Sequence, residues 1–597
     1  MSSMAANTAT TNIHTPISKK IWSNKYCYNA GCIKESGIEE TWRRVACAIA
    51  KSEPEPSKSS FWTDRFLGLL QDFRFLPGGR ILAGAGTDKQ VTLFNCFVMG
   101  RIDDSIGGIF DALRQGAITM QQGGGVGYDF SSLRPKGFPT QRVGATASGP
   151  VSFMRIWDTM CETLLSTGAR RGAMMATLRC DHPDIEDFIT AKQEAHALRH
   201  FNLSVLISDA FMQAVRDNQS WPLVFPLEQG QYNKSVRKVD AVKLWQKIIR
   251  ATYDYAEPGV LFSDHINNNN NLYYREHISC TNPCGEIPLP PYGACDLGSI
   301  NLTSFVSKPF TSSTSLDFDG LENTVKVAVR FLDNVIDLSH YPLPEQKEQA
   351  QGSRRIGLGI TGLADTFAMF GVRYGDPSSM KLATRIISTI CHTAYRTSID
   401  LARERGVFPY YEKDAFLESR FVQSLPTEIQ EDITKYGIRN SHLIAIAPTG
   451  TISLLANNIS SGIEPVFDFI QRRRILQEDN SYLEHTLEDY AYRLWKQQYG
   501  DMKLPAYFVN SYQVTPEEHV DMQAALQPYV DNAISKTINI PHDYPYEKYR
   551  LLYEQAYNLG LKGFTAFRSN PVSKSILQSG TDLPVNKHCC NIEREAD

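Results

Sequence analysis

The stretch "TNPCGEIPL" at residues 281–289 sets an amide (Asn282), a thiol (Cys284) and a carboxylate (Glu286) at alternate positions, with Pro283 and Gly285 between them. A thiol supplies sulfur or hydrogen-atom chemistry, a carboxylate takes or gives a proton, and an amide orients hydroxyl groups. In an extended segment, side chains two apart project to one side, so this spacing predicts three groups converging on adjacent atoms of one small molecule. Cys280, Cys284, Cys295 and His277 are also zinc-ligating residue types. A structural zinc site joins two close ligand pairs, whereas this C-x3-C contains a proline and has no second pair, which argues against a metal.

Two glycine-rich segments suggest an anion. "QQGGGVGYDFSSLRP" (121–135) and "APTGTISLL" (447–455) hold small residues that let backbone N–H groups approach a phosphate, and the hydroxyls of Thr449, Thr451 and Ser453 add donors. A helix starting after "PTGT" would present its positive end. An ordinary glycine turn with a threonine N-cap explains either segment alone as well; the two together favour a phosphorylated ligand. "GLGITG" (357–362) matches G-x-G-x-x-G but has no β-branched strand before it and no acidic residue about 20 positions on, so tight strand-to-helix packing is expected there. Neither G-x-x-x-x-G-K-[ST] nor H-E-x-x-H occurs.

The elements that must position these groups follow from the patterning. Residues 1–20 lack apolar periodicity and read as a mobile tail; "GIEETWRRVACAIAKSE" reads as a helix opening a small helical N-terminal region, and "EPEPSKSS" ends it. After "FLPGGRIL", short apolar segments such as "VTLFNCFVM", "WPLVF" and "HLIAIAP" alternate with helical patterns, which predicts a mixed α/β architecture with much parallel pairing. "INNNNN" (266–271) is expected to be a loop. Cys47, Cys161 and Cys391 lie in helical patterns and are expected in the core. The division is 1–75 tail and helical region, 76–570 catalytic domain, and 571–597 a flexible tail ending near adjacent Cys589 and Cys590.

A 597-residue chain that is 42% hydrophobic can bury a large core. Its net charge of -4 comes without long runs of either sign, which gives no footprint for nucleic acid or an anionic membrane. The sequence lacks 18 consecutive apolar residues and a secretory h-region, so a cytoplasmic protein is expected, with its twelve cysteines kept as thiols.

"NPCGEIPL", "GACDLGSINL", "NCFVMG", "GGGVGYDFSSLRP", "RRGAMMATLRCDHPDIEDFI", "APTGTIS" and "SGIEP" together resemble the catalytic subunit of ribonucleotide reductase, most closely the class II, adenosylcobalamin-dependent form, from about residue 37 to about residue 575. The resemblance implies a ten-stranded α/β barrel with a central catalytic finger loop. It implies that Cys284 becomes the thiyl radical that takes the 3′-hydrogen, that Glu286 accepts the 3′-hydroxyl proton, and that Asn282 binds ribose hydroxyls. Cys96 and Cys295 would supply the reducing equivalents and end as a disulfide. Asn95, Gly124, Gly125, Pro448, Thr449, Gly450, Thr451 and Ser453 would bind the ribonucleotide substrate and its phosphates. Asp104, Ser105 and Ile106, with Arg170 and Arg171, would bind a deoxynucleotide effector at a homodimer interface.

Class I subunits resemble this chain but receive the radical from a second protein through paired tyrosines. The corresponding stretch here, "LKGFTAFRSN", has Phe564 and Phe567, which carry no O–H, so a cofactor bound at the site is expected and a class I-like subunit is the alternative. Cys589 and Cys590 stand where the family often has a C-x-x-C-like pair; they are the expected shuttle from a thioredoxin-like or small dithiol reductant. No ATP-binding module precedes the "IEETWRRVA" helix, so overall activity control through one is not expected.

Overall fold

The computed structural model describes residues 12–30, 33–139, 146–166, 170–194, 197–225, 234–476, 482–568 and 577–579. Helix α1 (Ile38–Ile49) starts with Glu39 and Glu40 in its first turn, where carboxylates offset the positive helix end, and buries Ile38, Trp42, Val45 and Ile49 at helical spacing. A short 3-10 turn ends it, and α2 (Pro56–Leu70) begins on a proline, whose missing N–H has no intrahelical partner to lose at that position. Between them the chain leaves a buried carboxylate, Glu53, which accepts hydrogen bonds from Arg330, Asn334 and Arg405. Burial alone would raise the pKa of Glu53, but those three donors outweigh it and hold it at about 2. The helical region is thereby clamped to the rest of the chain by charge as well as by packing.

The largest sheet has ten strands: β1 (Phe75–Pro77), β2 (Cys96–Val98), β3 (Gly125–Asp129), β4 (Met174–Arg179), β5 (Phe201–Ile207), β6 (Gly259–Phe262), β7 (Ala294–Asn301), β8 (Ile356–Thr361), β9 (Thr537–Ile540) and β10 (Gly563–Arg568). Their order is β8-β7-β2-β3-β4-β5-β6-β10-β9, with β1 against β7. Strands β2 to β6 run parallel to one another, and so do β7 with β8 and β9 with β10, whereas β7–β2 and β6–β10 are antiparallel. The two ends of this order are linked through residues 443–446. Leu358 N donates to Leu443 O (2.8 Å) on the β8 side, and Ile446 N donates to Ala533 O (3.1 Å) just before β9. The "HLIAIAP" segment makes these contacts as isolated bridges rather than as a full strand. A Cβ on Gly359 would lie 2.4 Å from Ala445 O, so the absence of a side chain there admits the close approach.

Helices cover the sheet: α3 (Ile106–Gln121), α4 (Pro150–Thr163), α5 (Phe318–Leu338) and α6 (Pro377–Arg405). A fifth, α7 (Gly450–Leu455), is a single short turn and a half. The mixed α/β architecture and the helical N-terminal region agree with the sequence expectations. Four local expectations are corrected. Residues 16–21 form a helix that packs against α7, with Ser18 Oγ donating to Leu454 O at 2.6 Å, because Ile17 and Ile21 find an apolar partner in Leu454. The helix Ser263–Asn268 takes in the start of the asparagine run, while residues 269–271 form turn and irregular chain, and Asn271 is buried, its amide donating to Tyr395 Oη and Ser441 O. Cys161 and Cys391 are buried, but Cys47 lies on the outer face of α1 and is exposed. Leu577–Ser579, expected in a tail, pairs antiparallel with Gln471–Arg473.

Inside the sheet lies a hairpin, Cys280–Thr281 paired with Pro288–Leu289. It touches strands on several sides: Thr177 Oγ1 donates to Ser279 O, Asn202 Nδ2 to Pro283 O, Arg355 Nη1 to Pro288 O, and Ala533 N to Glu286 O. A Cβ on Gly127 of β3 would sit 1.9 Å from Thr281 O. Gly127→Ala is therefore expected to lose about 1–3 kcal/mol of stability by overpacking. Urea unfolding followed by circular dichroism reads this directly, and an unchanged midpoint would contradict the threading of the hairpin past β3.

Candidate active site

The hairpin delivers its reactive residues by a turn, not by strand alternation. Gly285 N donates to Asn282 O (3.1 Å), and Gly285 has φ +85, a left-handed conformation that suits glycine. The extended spacing expected for 282, 284 and 286 is thus corrected; the three still gather, because Asn282 staples the turn. Its Oδ1 accepts from Ile287 N (3.0 Å) and its Nδ2 donates to Cys96 Sγ (3.2 Å). Cys96 Sγ lies 3.9 Å from Glu286 Oε1. Cys295 of β7 stands directly opposite Cys96 of β2 in the antiparallel register. Such opposed residues have Cα atoms about 4.5–5.5 Å apart, within the span of a disulfide. Cys96, Cys280 and Cys295 share one apolar cluster with Met175, Ile287 and Leu289, while Cys284 at the tip is half-buried.

Desolvation sets the protonation of this group. Burial pushes Glu286 up to about 7, against the lowering effect of hydrogen bonds from Asn282 and Cys96. Burial drives Cys96 far above its ordinary value, and Glu286, Cys295 and Cys284 add to it. Cys295 is raised likewise by burial, then by neighbouring Asp296. The site therefore holds two thiols that keep their protons and one carboxylate poised near neutrality. Glu286 Oε2 has no hydrogen-bond partner although it is buried, nor has either amide atom of Asn95, 1% exposed, beside Cys96. Orphaned buried polar atoms of this kind call for a ligand or an ordered water.

The hydroxyls of the second motif form their own cluster. Thr361 Oγ1 lies 3.0 Å from Thr449 Oγ1 and 2.9 Å from Ser453 Oγ, and Gly462 N donates to Thr449 Oγ1 (2.8 Å). Thr449 has φ 56 and makes no side-chain cap to α7, so the ordinary N-cap explanation fails for this segment. Thr451 receives Lys25 Nζ at 3.4 Å from the N-terminal segment, and Pro448 and Gly450 flank Thr449. Gly124 and Gly125 differ from expectation. Their amides already donate to Thr119 O (3.0 Å) and Asn95 O (2.8 Å), so neither is available to cradle an anion. Their small size is instead required by Phe97, 2.6 Å from a Cβ at 124, and by Pro283, 3.2 Å from one at 125.

Asp104 accepts from Arg134 N and Nε, Ser105 caps α3 through Gly108 N (3.0 Å), and Ile106 is 65% exposed. Arg170–Arg171 forms a two-residue strand against Leu165–Ser166. Cys589 and Cys590 lie outside the described residues. Sequence reasoning missed Thr361 and Asn202. Thr361 lay in view as a hydroxyl inside "GLGITG", and Asn202 as an amide in the mostly apolar strand "FNLSVLI".

No group of three or more His, Cys, Asp or Glu among the described residues is arranged to hold a metal ion. Nor is any described helix long and apolar enough to cross a membrane.

Comparison with known proteins accords with this geometry. Residues 94–567 match the family description "Ribonucleotide reductase, barrel domain", and residues 14–90 match "Ribonucleotide reductase, all-alpha domain". A "Vitamin B12-dependent ribonucleoside-diphosphate reductase" of Mycobacterium tuberculosis (strain CDC 1551 / Oshkosh) is 39% identical over 92% of this chain and 78% of its own length. A protein of the same description from Thermoplasma acidophilum is 35% identical over 92% of this chain and 70% of its own. A "Ribonucleoside-diphosphate reductase subunit alpha" of Chlamydia pneumoniae is 26% identical over 91% of this chain and 58% of its own. The chain belongs to the ribonucleotide reductase family.

Proposed function

We propose that this protein reduces ribonucleotides to 2′-deoxyribonucleotides at the hairpin tip, as a class II reductase using adenosylcobalamin. The observation that carries the reading is the buried Glu286 carboxylate, one oxygen unpartnered, held beside Asn282, Cys96 and Cys284 with Cys295 opposite. In this reading Cys284, as a thiyl, takes the 3′-hydrogen while Glu286 takes the 3′-hydroxyl proton. Cys96 and Cys295 then give two electrons and two protons; the 2′-oxygen leaves as water, Cys284 returns its hydrogen to C3′ and is a thiyl again, Glu286 returns its proton to the 3′-oxygen, and the pair ends as a disulfide. Burial keeps both thiols protonated until that step, which suits them as hydrogen donors. Asn95, with both amide atoms unpartnered, is the expected substrate hydrogen-bonding group, and Thr449, Thr451 and Ser453 the expected phosphate ligands.

Adenosylcobalamin, when bound, supplies the radical equivalent that oxidises the Cys284 thiol. The residues fit such a group: Cys284 is half-exposed, and beyond its chain neighbours no atom lies within 4 Å of where a side chain at Gly285 would begin. Phe564 and Phe567 in β10 offer no phenolic relay from a second protein, and the Mycobacterium and Thermoplasma relatives, both described as vitamin B12-dependent, match this chain at higher identity than the Chlamydia subunit alpha. The class I-like alternative is not favoured. The exposed Ile106 and Phe110, one turn apart on α3, are the surface expected to meet a second copy of the chain, with a deoxynucleotide effector bound nearby at Asp104, Ser105, Arg170 and Arg171. A dithiol reductant acting through Cys589 and Cys590 completes the cycle.

Purified protein given adenosylcobalamin and a dithiol should form deoxynucleotide without a second protein, with CDP and CTP assayed side by side; strict dependence on a partner would overturn the radical source. Cys284→Ser should abolish turnover while nucleotide binding persists, and wild-type turnover would sink the assignment. Cys295→Ser should stop after about one turnover per oxidisable pair; sustained turnover with dithiothreitol would contradict its role. Because Glu286 must be ionised to accept a proton and is raised to about 7, kcat/KM should rise with pH through about 7. Glu286→Gln should remove that rise and lower the rate about 10²–10⁴-fold.

A further inference from the structure

Behind the hydroxyl cluster lie two carboxylates that the chemistry above does not use. Asp365 and Asp489 are 0% and 3% exposed, and their side chains hydrogen-bond to each other, which requires one shared proton. Asp365 Oδ2 accepts from Ser460 N (2.6 Å) and Oδ1 from Ala491 N (3.0 Å), while Asp365 N donates to Ser460 Oγ (3.2 Å). Asp489 Oδ1 accepts from Tyr492 N (3.1 Å). Ser460 is the hinge of the arrangement, since its carbonyl accepts from Thr361 Oγ1 (2.9 Å) and Gly362 N (2.8 Å). Thr361 is the hydroxyl against which both Thr449 and Ser453 rest.

The loop these contacts hold is strained. Thr449, Asn457 and Asn458 have φ of 56, 64 and 61, left-handed values that non-glycine residues keep only when their surroundings over-determine them. Arg493 Nη2 donates to Asn457 O (3.0 Å), Tyr490 N to Asn458 O (3.2 Å) and Asn458 Nδ2 to Glu488 O (2.8 Å). All three partners flank Asp489 or follow it in the same helix. We infer that the proton-sharing Asp365–Asp489 pair is a positioning device that fixes the 449–462 loop in the shape that receives the substrate phosphates. The inference deepens the proposed substrate site and rests on it.

The pair works with one proton present. Burial raises both acids, and the negative charge of Asp365 raises Asp489 further, so Asp489 is the donor and Asp365 the acceptor of two backbone amides. The other titratable or charged groups facing the pair are Tyr490 and Arg493 on its C-terminal side and, across a small cavity that Asp489 also lines, Tyr374 and Tyr507. Arg493 favours ionised Asp489 and opposes its raised value. Without the shared proton, two buried anions would face each other and the loop would loosen.

The test is equilibrium binding of CDP together with KM and kcat for wild type, Asp365→Asn, Asp489→Asn and Asp489→Ala, with circular dichroism as the fold control. Asp365→Asn puts an NH2 against a backbone N–H and should raise KM about tenfold or more, with kcat changed far less. Asp489→Asn keeps a donor to Asp365 that never titrates. It should retain wild-type KM, whereas Asp489→Ala, which removes that donor, should raise KM as Asp365→Asn does. Wild-type CDP affinity in folded Asp365→Asn or in folded Asp489→Ala would overturn the proposal. Wild-type protein that binds no ribonucleotide would remove the substrate-site reading beneath it, a result distinguishable from either.

Discussion

The structure depends on passing a polar hairpin through the interior of a sheet whose strands would ordinarily fill that space with side chains. Gly125 and Gly127 on β3 and Gly357 on β8 clear the passage, since a Cβ at any of them would meet Pro283, Thr281 or Leu297 and Ile287. The backbone of the hairpin is then satisfied from outside itself, by Thr177, Asn202, Arg355 and Ala533. A buried loop without such partners would carry unpaired polar groups at roughly 1–3 kcal/mol each. Each strand that touches the hairpin contributes either an absence or a hydrogen bond.

That enclosure produces the electrostatics of the tip. Two kinds of buried acid occur in one chain. Glu53 and Asp333 are met by guanidinium groups, which outweigh burial and lower both below the usual carboxylate range. Glu286, Asp365 and Asp489 are met by amides, hydroxyls, a thiol or each other and are raised. The first kind joins the helical N-terminal region and α5 to the body of the protein. The second kind clusters where a sugar and its phosphates are proposed to bind. Desolvation is common to both, so the partner decides which role a carboxylate takes.

Much of this was legible in the sequence, and the parts that were not share a cause. The Asn282, Cys284, Glu286 triplet was visible because its spacing is local, and the alternation of short apolar segments with helical patterns gave the mixed α/β class. The opposition of Cys96 and Cys295 depends on register between β2 and β7, nearly 200 residues apart, and only the family resemblance reached it. The glycines at 124 and 125 misled for a physical reason: a small residue admits an anion or a neighbouring side chain equally well, and composition cannot say which. Asp365 and Ser460 gave no signal, because a buried acid bound to a backbone amide looks like any polar residue in a loop.

The helix Pro16–Ile21 lies on α7, more than 430 residues further along the chain. During synthesis at about 5–20 residues per second, this N-terminal segment leaves the ribosome roughly 20–90 s before its partner exists. Its apolar face, Ile17 and Ile21, must wait in a nascent chain whose sheet is also incomplete, since β9 and β10 are translated last. Assembly of the α7 end of the molecule is therefore a late event of high contact order, and residues made early wait for partners made late.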